Sequence, residues 1–414
     1  MYKKITKCRI CGNSNLVKIM DLGTMMLTGV FPLPDEEIEE GPLELTKCDG
    51  DDVCGLVQLV HSFEAEKMYG GGYGYRSGLN LSMINHLKEI TSEIRNRIEI
   101  KKEDFIVDIG SNDGTLLGTY IDAGVDCTFV GIDPTGEKFR KYYKEGIALE
   151  PQFFEADLIK KKYPSRKAKV ITSIAMFYDL ENPVHFAEDI AEILEEDGIW
   201  VMEQSYLPLM IETNSYDTIC HEHLEFYTLK QIEWIAEKAS LKVIDVMTND
   251  INGGSFRVIL AKKSAMFKAS EAVLKMRKSE EANGYNSLQA FDGFHKAVIN
   301  HKETLIDFLK KCKQEGKVVL GYGASTKGNV VLQYCNITSE LLPAIAEVNS
   351  DKYGHVTPGT NIPIISETDA KNMNPDYFLA LPWHFKENIL EKEAEYILSS
   401  GCKFVFYLPE FEII

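Results

Sequence analysis

Residues 105–117, Phe-Ile-Val-Asp-Ile-Gly-Ser-Asn-Asp-Gly-Thr-Leu-Leu, leave this chain few options. Phe105–Ile109 is an apolar run of strand length that meets a glycine turn and a helix start without a linker. Such a strand-turn-helix unit aims backbone N–H groups at one point above a sheet, where a ligand can sit. A second apolar run, Cys127–Ile132, ends in Asp133, the usual place for a carboxylate that holds the two hydroxyls of an adenosine ribose. Strands are expected next at Val170–Ser173, Ile199–Glu203, Leu241–Met247 and Phe256–Ala261. Helices fall between them at Thr115–Ala123, Gly136–Glu145, Pro183–Leu194 and Leu229–Ala239, with Asp197-Gly198 as the turn into the strand after the third. The alternation predicts a doubly wound α/β sheet.

The glycine loop departs from the dinucleotide pattern Gly-x-Gly-x-x-Gly, because Gly110, Asn112 and Thr115 occupy its three places and Gly114 is extra. Asp108 and Asp113 flank the turn. An acidic loop repels a pyrophosphate and attracts the sulfonium and amino group of S-adenosylmethionine (AdoMet). Asp108, Gly110, Asn112, Asp113, Gly114 and Asp133 are therefore the expected cofactor-binding set. A second glycine loop, Gly321-Tyr-Gly323-Ala-Ser-Thr326, matches the dinucleotide pattern in two of three glycines, and Glu347 and Asp351 stand near the distance of a ribose partner. An NAD site and a phosphate seat at Thr326-Lys327, on a helix N-terminus, are both open there.

At 414 residues the chain is long enough for two or three domains. Its formal charge of −18 argues against nucleic acid or an anionic membrane as partner. No apolar stretch nears membrane-spanning length and no signal peptide is evident, so a cytoplasmic protein is expected, as monomer or homodimer. Four of nine cysteines crowd the N-terminus as Cys8-Arg-Ile-Cys11 and the wider Cys48-Asp-Gly-Asp-Asp-Val-Cys54. They read as a structural Zn²⁺ site with four sulfurs, or as four reduced structural thiols. Tyr69-Gly-Gly-Gly-Tyr-Gly-Tyr75 reads either as a flexible linker or as a lid carrying Tyr73 or Tyr75 over a pocket. The helix expected over Leu81–Ile98 places Leu81, Ile84, Leu87 and Ile94 on one face, and residues 264–312 read as polar helices leading to a last α/β unit. Further strands of that unit are expected at Ala344–Val348, Tyr377–Ala380 and Lys403–Tyr407.

His221, Glu222 and His223 are three consecutive titratable groups in a loop expected at the carboxyl end of the sheet. The metalloprotease pattern His-Glu-x-x-His fails, since position 225 is Glu. A histidine is the natural general base near neutral pH, and an adjacent carboxylate can orient it. The alternative is a polar loop whose histidines satisfy local backbone groups.

Taken in order, Cys8-x-x-Cys11 with Cys48 and Cys54, Val107-Asp-Ile-Gly-Ser-Asn-Asp-Gly114, His221-Glu-His-Leu224, Asn252-Gly-Gly-Ser-Phe-Arg257 and Gly321-Tyr-Gly-Ala-Ser-Thr-Lys-Gly-Asn329 resemble the sugar C-methyltransferases. The resemblance spans essentially the full length. It implies a zinc module (1–68), a class I AdoMet-methyltransferase domain (69–263) and a C-terminal Rossmann-like domain (264–414) without NAD, with a nucleotide-sugar in the cleft between the last two. It further implies AdoMet-dependent methylation at C-3 of an NDP-4-keto-6-deoxyhexose, in branched deoxysugar biosynthesis. His223 would be the base, with Glu222 beside it and Tyr75 and Tyr178 over the sugar. Tyr73, His221, Asn252, Ser255, Arg257, Tyr322 and Lys327 would bind substrate. Family members commonly carry Tyr where this chain has Cys220, and His near Tyr178. The rival readings are an O- or N-methyltransferase, an NAD-dependent sugar oxidoreductase or epimerase, and a binding protein with a decayed AdoMet site.

Overall fold

The computed structural model describes residues 2–64, 68 and 75–414; Tyr73 and the rest of its glycine stretch up to Gly74 lie outside these. The chain begins with β1 (Tyr2–Lys4), followed by a hairpin of β2 (Leu16–Met26) and β3 (Glu40–Cys48); β4 (Val57–Leu59) extends it and β5 (His61–Phe63) returns to β1. Gly50, Asp52 and Gly55 take φ values of 133°, 54° and 78°, which lets the long Cys48–Cys54 spacing fold back on itself. As a result the sulfurs of Cys8, Cys11, Cys48 and Cys54 lie within 4.8 Å of one another. A ZnS₄ tetrahedron with bonds of about 2.3 Å has S···S edges of about 3.8 Å. The Cys8–Cys54 and Cys11–Cys48 pairs stand at 3.4 and 3.5 Å, and Asn13 Nδ2 donates to Cys48 Sγ at 3.4 Å. The donor set fits Zn²⁺, and four sulfurs leave no open position, so the site is structural.

The central sheet has seven strands: β6 (Phe105–Ile109), β7 (Thr128–Ile132), β8 (Ile147–Glu150), β9 (Ala168–Ile174), β10 (Leu194–Ser205), β12 (Leu241–Asn249) and β13 (Ser255–Lys262). Their order is β12-β13-β10-β9-β6-β7-β8, all parallel except β13. Every residue of β6 is buried, as a parallel strand covered on both faces requires. Three features differ from expectation. The helix expected over 136–145 stops at Phe139 and continues as a 3₁₀ turn, Arg140–Tyr142. The short edge strand β8 and the helix Ala156–Lys162 then follow, both too brief to show a period in sequence. Asp197-Gly198 lies inside β10, at a register break between Leu194 and Ile199; a Cβ on Gly198 would stand 2.8 Å from the Ala168 carbonyl oxygen. The helix Leu81–Arg97 buries Met83, Leu87, Ile90 and Ile94, while Leu81 is exposed.

The histidine loop leaves the end of β10 and terminates in β11 (Glu225–Phe226), which pairs with β4. This completes a four-stranded sheet, β11-β4-β3-β2, and Leu59 N–H donates to the Leu224 carbonyl at 2.8 Å. The helix Glu271–Asn283 lies on the central sheet; its Glu280 accepts from Leu229 N–H at 2.7 Å and from Tyr206 Oη at 2.8 Å. The helix Gln289–Gln314 then leads to a six-stranded sheet of β14 (Val319–Tyr322), β15 (Ile345–Glu347), β16 (Ile364–Ser366), β17 (Tyr377–Ala380), β18 (Lys403–Phe406) and β19 (Glu412–Ile413), ordered β16-β15-β14-β17-β18-β19.

The N-terminal strands serve both larger units. Leu43, Leu45 and Leu59 pack into one core with Leu320 and Leu332, whereas Cys48, Cys54 and Leu56 join Ile171 and Tyr227 of the central unit. Asn329 Nδ2 donates to the Thr28 carbonyl at 2.8 Å, and Gln333 bonds both backbone groups of Met26. Among the described residues no helix is long and apolar enough to cross a membrane. Because the zinc-held module is shared, Cys48→Ser should lose the metal and lower the stability of the whole chain by roughly 4 kcal/mol. Metal analysis with calorimetry checks this; a separate low-temperature transition that left the main one unmoved would contradict the shared core.

Candidate active site

A cavity of about 370 Å³ opens at the carboxyl ends of β7, β6, β9 and β10. Asp133, Thr135, Gln152, Phe153 and Phe154 line one end, Asp108, Gly110 and Asn112 the middle, and Tyr75, Tyr178, Glu203, Ser255 and Asn252 the other. Gly110 turns with φ 72° and its N–H meets the Ile132 carbonyl at 2.8 Å; a Cβ there would crowd Met176 at 3.0 Å. Asp133 accepts from Asn112 N–H at 2.8 Å and from the backbone and hydroxyl of Thr135 at 2.6 Å, which fixes its carboxylate at the cavity wall.

Two residues of the expected cofactor set face elsewhere. Asp113 accepts from Thr115 N–H and Oγ1 at 3.2 and 2.6 Å, and from Gly78 N–H at 2.9 Å; it starts the helix Thr115–Asp122 and ties down the preceding segment. Gly114 is the left-handed residue before that helix, packed under Tyr143. Asn112 shares the tethering: its side chain accepts from Ser77 N–H at 2.9 Å and donates to the Tyr75 carbonyl at 3.1 Å. The glycine loop thus holds half-exposed Tyr75 at the cavity mouth.

On the far side, the Tyr178 ring lies 4.2 Å from that of His223, centroid to centroid. His223 Nδ1 donates to the Thr218 carbonyl at 2.8 Å, so Nε2 is the acceptor nitrogen of the neutral ring. Burial, helped by the charge of Lys327, lowers its pKa to about 4, so the ring is neutral at pH 7. The carbonyl of Thr218, not Glu222, orients the imidazole. Glu222 instead faces Gly29, where a Cβ would collide with its Oε1, and burial raises its pKa. His221 bonds the Gly41 carbonyl at 3.2 Å and meets Phe63 edge-on, away from the cavity.

Lys327, in the first turn of the helix Thr326–Tyr334, donates to the Asn252 carbonyl and joins the C-terminal unit to the cavity rim. Trp383 Nε1 donates to buried Asp217 at 2.8 Å, and Gly253 leaves room for the Trp383 ring. Burial lowers the pKa of Lys327, and burial plus the charge of Lys327 keeps His384 well below the usual range. Ser255 lines the cavity but gives its hydroxyl to the Ile251 carbonyl at 2.9 Å. Arg257 and Tyr322 do not reach it. Arg257 is fully buried on Glu203 at 2.9 Å, and Tyr322 sits in the C-terminal core with its hydroxyl on Glu393 at 2.8 Å.

In the second glycine loop, Glu347 accepts from the N–H groups of Ala324, Val348 and Asn349 at 3.0, 2.7 and 2.9 Å, and the Lys352 ammonium stands 3.6 Å away. The carboxylate that would hold a dinucleotide ribose is thereby engaged by the protein itself. Sequence reasoning passed over His86, Glu203, Asp217 and His384. A signal existed for two of them: His86 is a polar residue in the apolar stripe of its helix, and Glu203 follows an apolar run, Ile199–Met202, as Asp133 does.

Three family models match successive stretches of the chain: a zinc binding domain at residues 8–69, a methyltransferase domain at 83–246 and a C-methyltransferase C-terminal domain at 250–409. The C-methyltransferase NovU of Streptomyces niveus is 28% identical over 420 residues, covering 100% of this chain and 98% of its own. Partial likenesses among solved structures include an S-adenosylmethionine-dependent methyltransferase from Clostridium acetobutylicum (11% identity, TM-score 0.34, 43% of this chain and 92% of that one). LepI in complex with SAM is another (15%, 0.34, 45% and 54%).

Asp108 is buried, and desolvation, opposed by the Thr172 hydroxyl at 2.6 Å and reinforced by Asp133, raises its pKa to about 7. A ligand of net positive charge favours its ionised form. Affinity for AdoMet should therefore strengthen as pH rises through about 7 and level off above. Asp108→Asn should flatten this profile, as titration calorimetry at pH 6 and pH 8 would show.

Proposed function

Since the chain is an AdoMet-dependent C-methyltransferase with a structural zinc module, we propose that its acceptor is an NDP-linked 4-keto-6-deoxyhexose and that His223 removes the C-3 proton. The observation that carries this reading is His223 itself: neutral, with Nδ1 tied to Thr218, and its ring set against a tyrosine that lines the cofactor cavity. A carbon beside a ketone is acidic enough for such a base when the enolate oxygen finds donors. Tyr178, Tyr75 and Asn252 border the cavity at that end and can supply them. Bound AdoMet supplies a methyl group on a sulfonium, already a good leaving group. The residues that hold it are those around Gly110 and Asp133, and the chain's remaining task is alignment, with no covalent intermediate.

The half-buried cation near His223 also supports a phosphorylated acceptor. Lys327 and His384 come from the C-terminal unit, and the Asp217 carboxylate opposes the loss of charge that burial imposes on Lys327. A diphosphate between Lys327 and His384 would replace the solvation they have lost. It would also offset the charge that depresses His223 and make the base stronger when substrate is bound. The Lys352 ammonium 3.6 Å from Glu347 disfavours the NAD-dependent alternative. In this reading the C-terminal unit carries the nucleotide, and the reaction belongs to a cytoplasmic pathway of branched deoxysugars.

Base and methyl transfer can be separated experimentally. In D₂O, with S-adenosylhomocysteine in place of AdoMet, the enzyme should exchange the C-3 proton of the 4-keto sugar. His223→Asn should abolish both exchange and turnover, a loss of at least about 10²-fold, while cofactor binding stays intact. Exchange or turnover at the normal rate in the variant would remove His223 as the base.

A further inference from the structure

The part of the cavity nearest β10 holds a charge cluster that the acceptor chemistry does not use. Glu203 lies two residues from the end of β10, and His86 reaches it from the helix Leu81–Arg97; both line the cavity and both are buried. His86 Nε2 contacts Glu203 Oε1. Glu203 Oε2 accepts from Arg257 Nε at 2.9 Å and from Asn249 Nδ2 at 3.0 Å. Arg257 is the cross-strand partner of Glu203 on β13, fully buried, and its NH1 continues to Glu93 at 2.5 Å. Burial raises the Glu203 pKa, but His86 and Arg257 more than offset it and hold it below the usual range.

The strand order places this cluster opposite the ribose carboxylate. Asp133 ends β7, and β6 and β9 separate that strand from β10. Neighbouring strands are about 4.8 Å apart, so the floor from β7 to β10 measures about 14 Å. A ligand whose ribose lies at Asp133 and whose sulfur passes Gly110 extends its tail toward β10. In AdoMet that tail is a zwitterion with one ammonium and one carboxylate. We propose that the Glu203 carboxylate, braced at Oε1 by His86 Nε2–H, seats the ammonium of this amino-acid end. Arg257 is a positioning residue that keeps Glu203 ionised and aimed at the cavity. The inference rests on the cofactor assignment and is independent of the acceptor and of His223.

Two ligands separate seating from scaffolding. S-Adenosylhomocysteine carries the amino acid, whereas 5′-methylthioadenosine keeps the adenosine and sulfur and lacks it. By titration calorimetry, Glu203→Gln and His86→Gln should each weaken S-adenosylhomocysteine about tenfold or more and leave 5′-methylthioadenosine unchanged. Arg257→Gln should give the same one-sided loss. Parallel losses for both ligands would mark the cluster as scaffolding and overturn the proposal, as would undiminished S-adenosylhomocysteine affinity. Failure of the acceptor assignment would leave these binding constants unaffected.

Discussion

Four sulfur atoms gathered around one cation position hold a segment too short for a core of its own, and both larger units complete themselves against it. Thiolates this close repel one another without a cation between them, so the metal is what makes the arrangement affordable in free energy. From that knot β3 and β4 run out to present leucines to the C-terminal core, while the cysteines and Leu56 face the central one. The sheet then takes β11 from the middle of the chain as its last strand, and β11 directly follows the histidine loop. A structural metal therefore lies one sheet away from the candidate base. Its influence on the site is mechanical, since a closed set of four sulfurs can offer a ligand nothing.

Charge is sorted along the cavity. Asp108, Asp133 and Glu203 border the cofactor side, and Lys327, His384 and His223 gather at the rim shared with the C-terminal unit. The first set is buried and the second half-buried, which opposes the charge of Asp108, Lys327 and both histidines. An acidic wall suits a ligand that is cationic overall, and the rim offers one ammonium, Lys327, beside two histidines that burial keeps neutral. Tyr178, Gln204 and Asn252 add neutral polar groups to the cavity wall.

Much of this was legible in the chain. The run into Gly110 and the acid at 133 reveal a strand, a turn and a second strand, because parallel strands buried on both faces are apolar throughout. The cysteine spacing reveals a metal site even with its stretched second pair. What could not be read depended on partners remote in sequence. Arg257 looked like a residue that reaches a ligand, yet its counter-ion stands directly across an antiparallel pair, and register is invisible before the sheet is built. Asp113 looked like a ligand and is a helix start, a role that Asp-Gly-Thr also fits by local rules. Glu222, adjacent to His223, turns to Gly29 instead, since neighbours in an irregular loop need not share a side.

The pairing of β4 with β11 has a consequence for synthesis on the ribosome. The N-terminal sheet emerges first but ends in an unpaired edge until the strand after the histidine loop has been made, and its apolar face remains bare until β14 and its helix arrive. Contacts of such long sequence separation close slowly. Early metal capture would give the nascent segment a fixed shape during that wait, so the zinc knot acts as a placeholder in time as well as a brace in space.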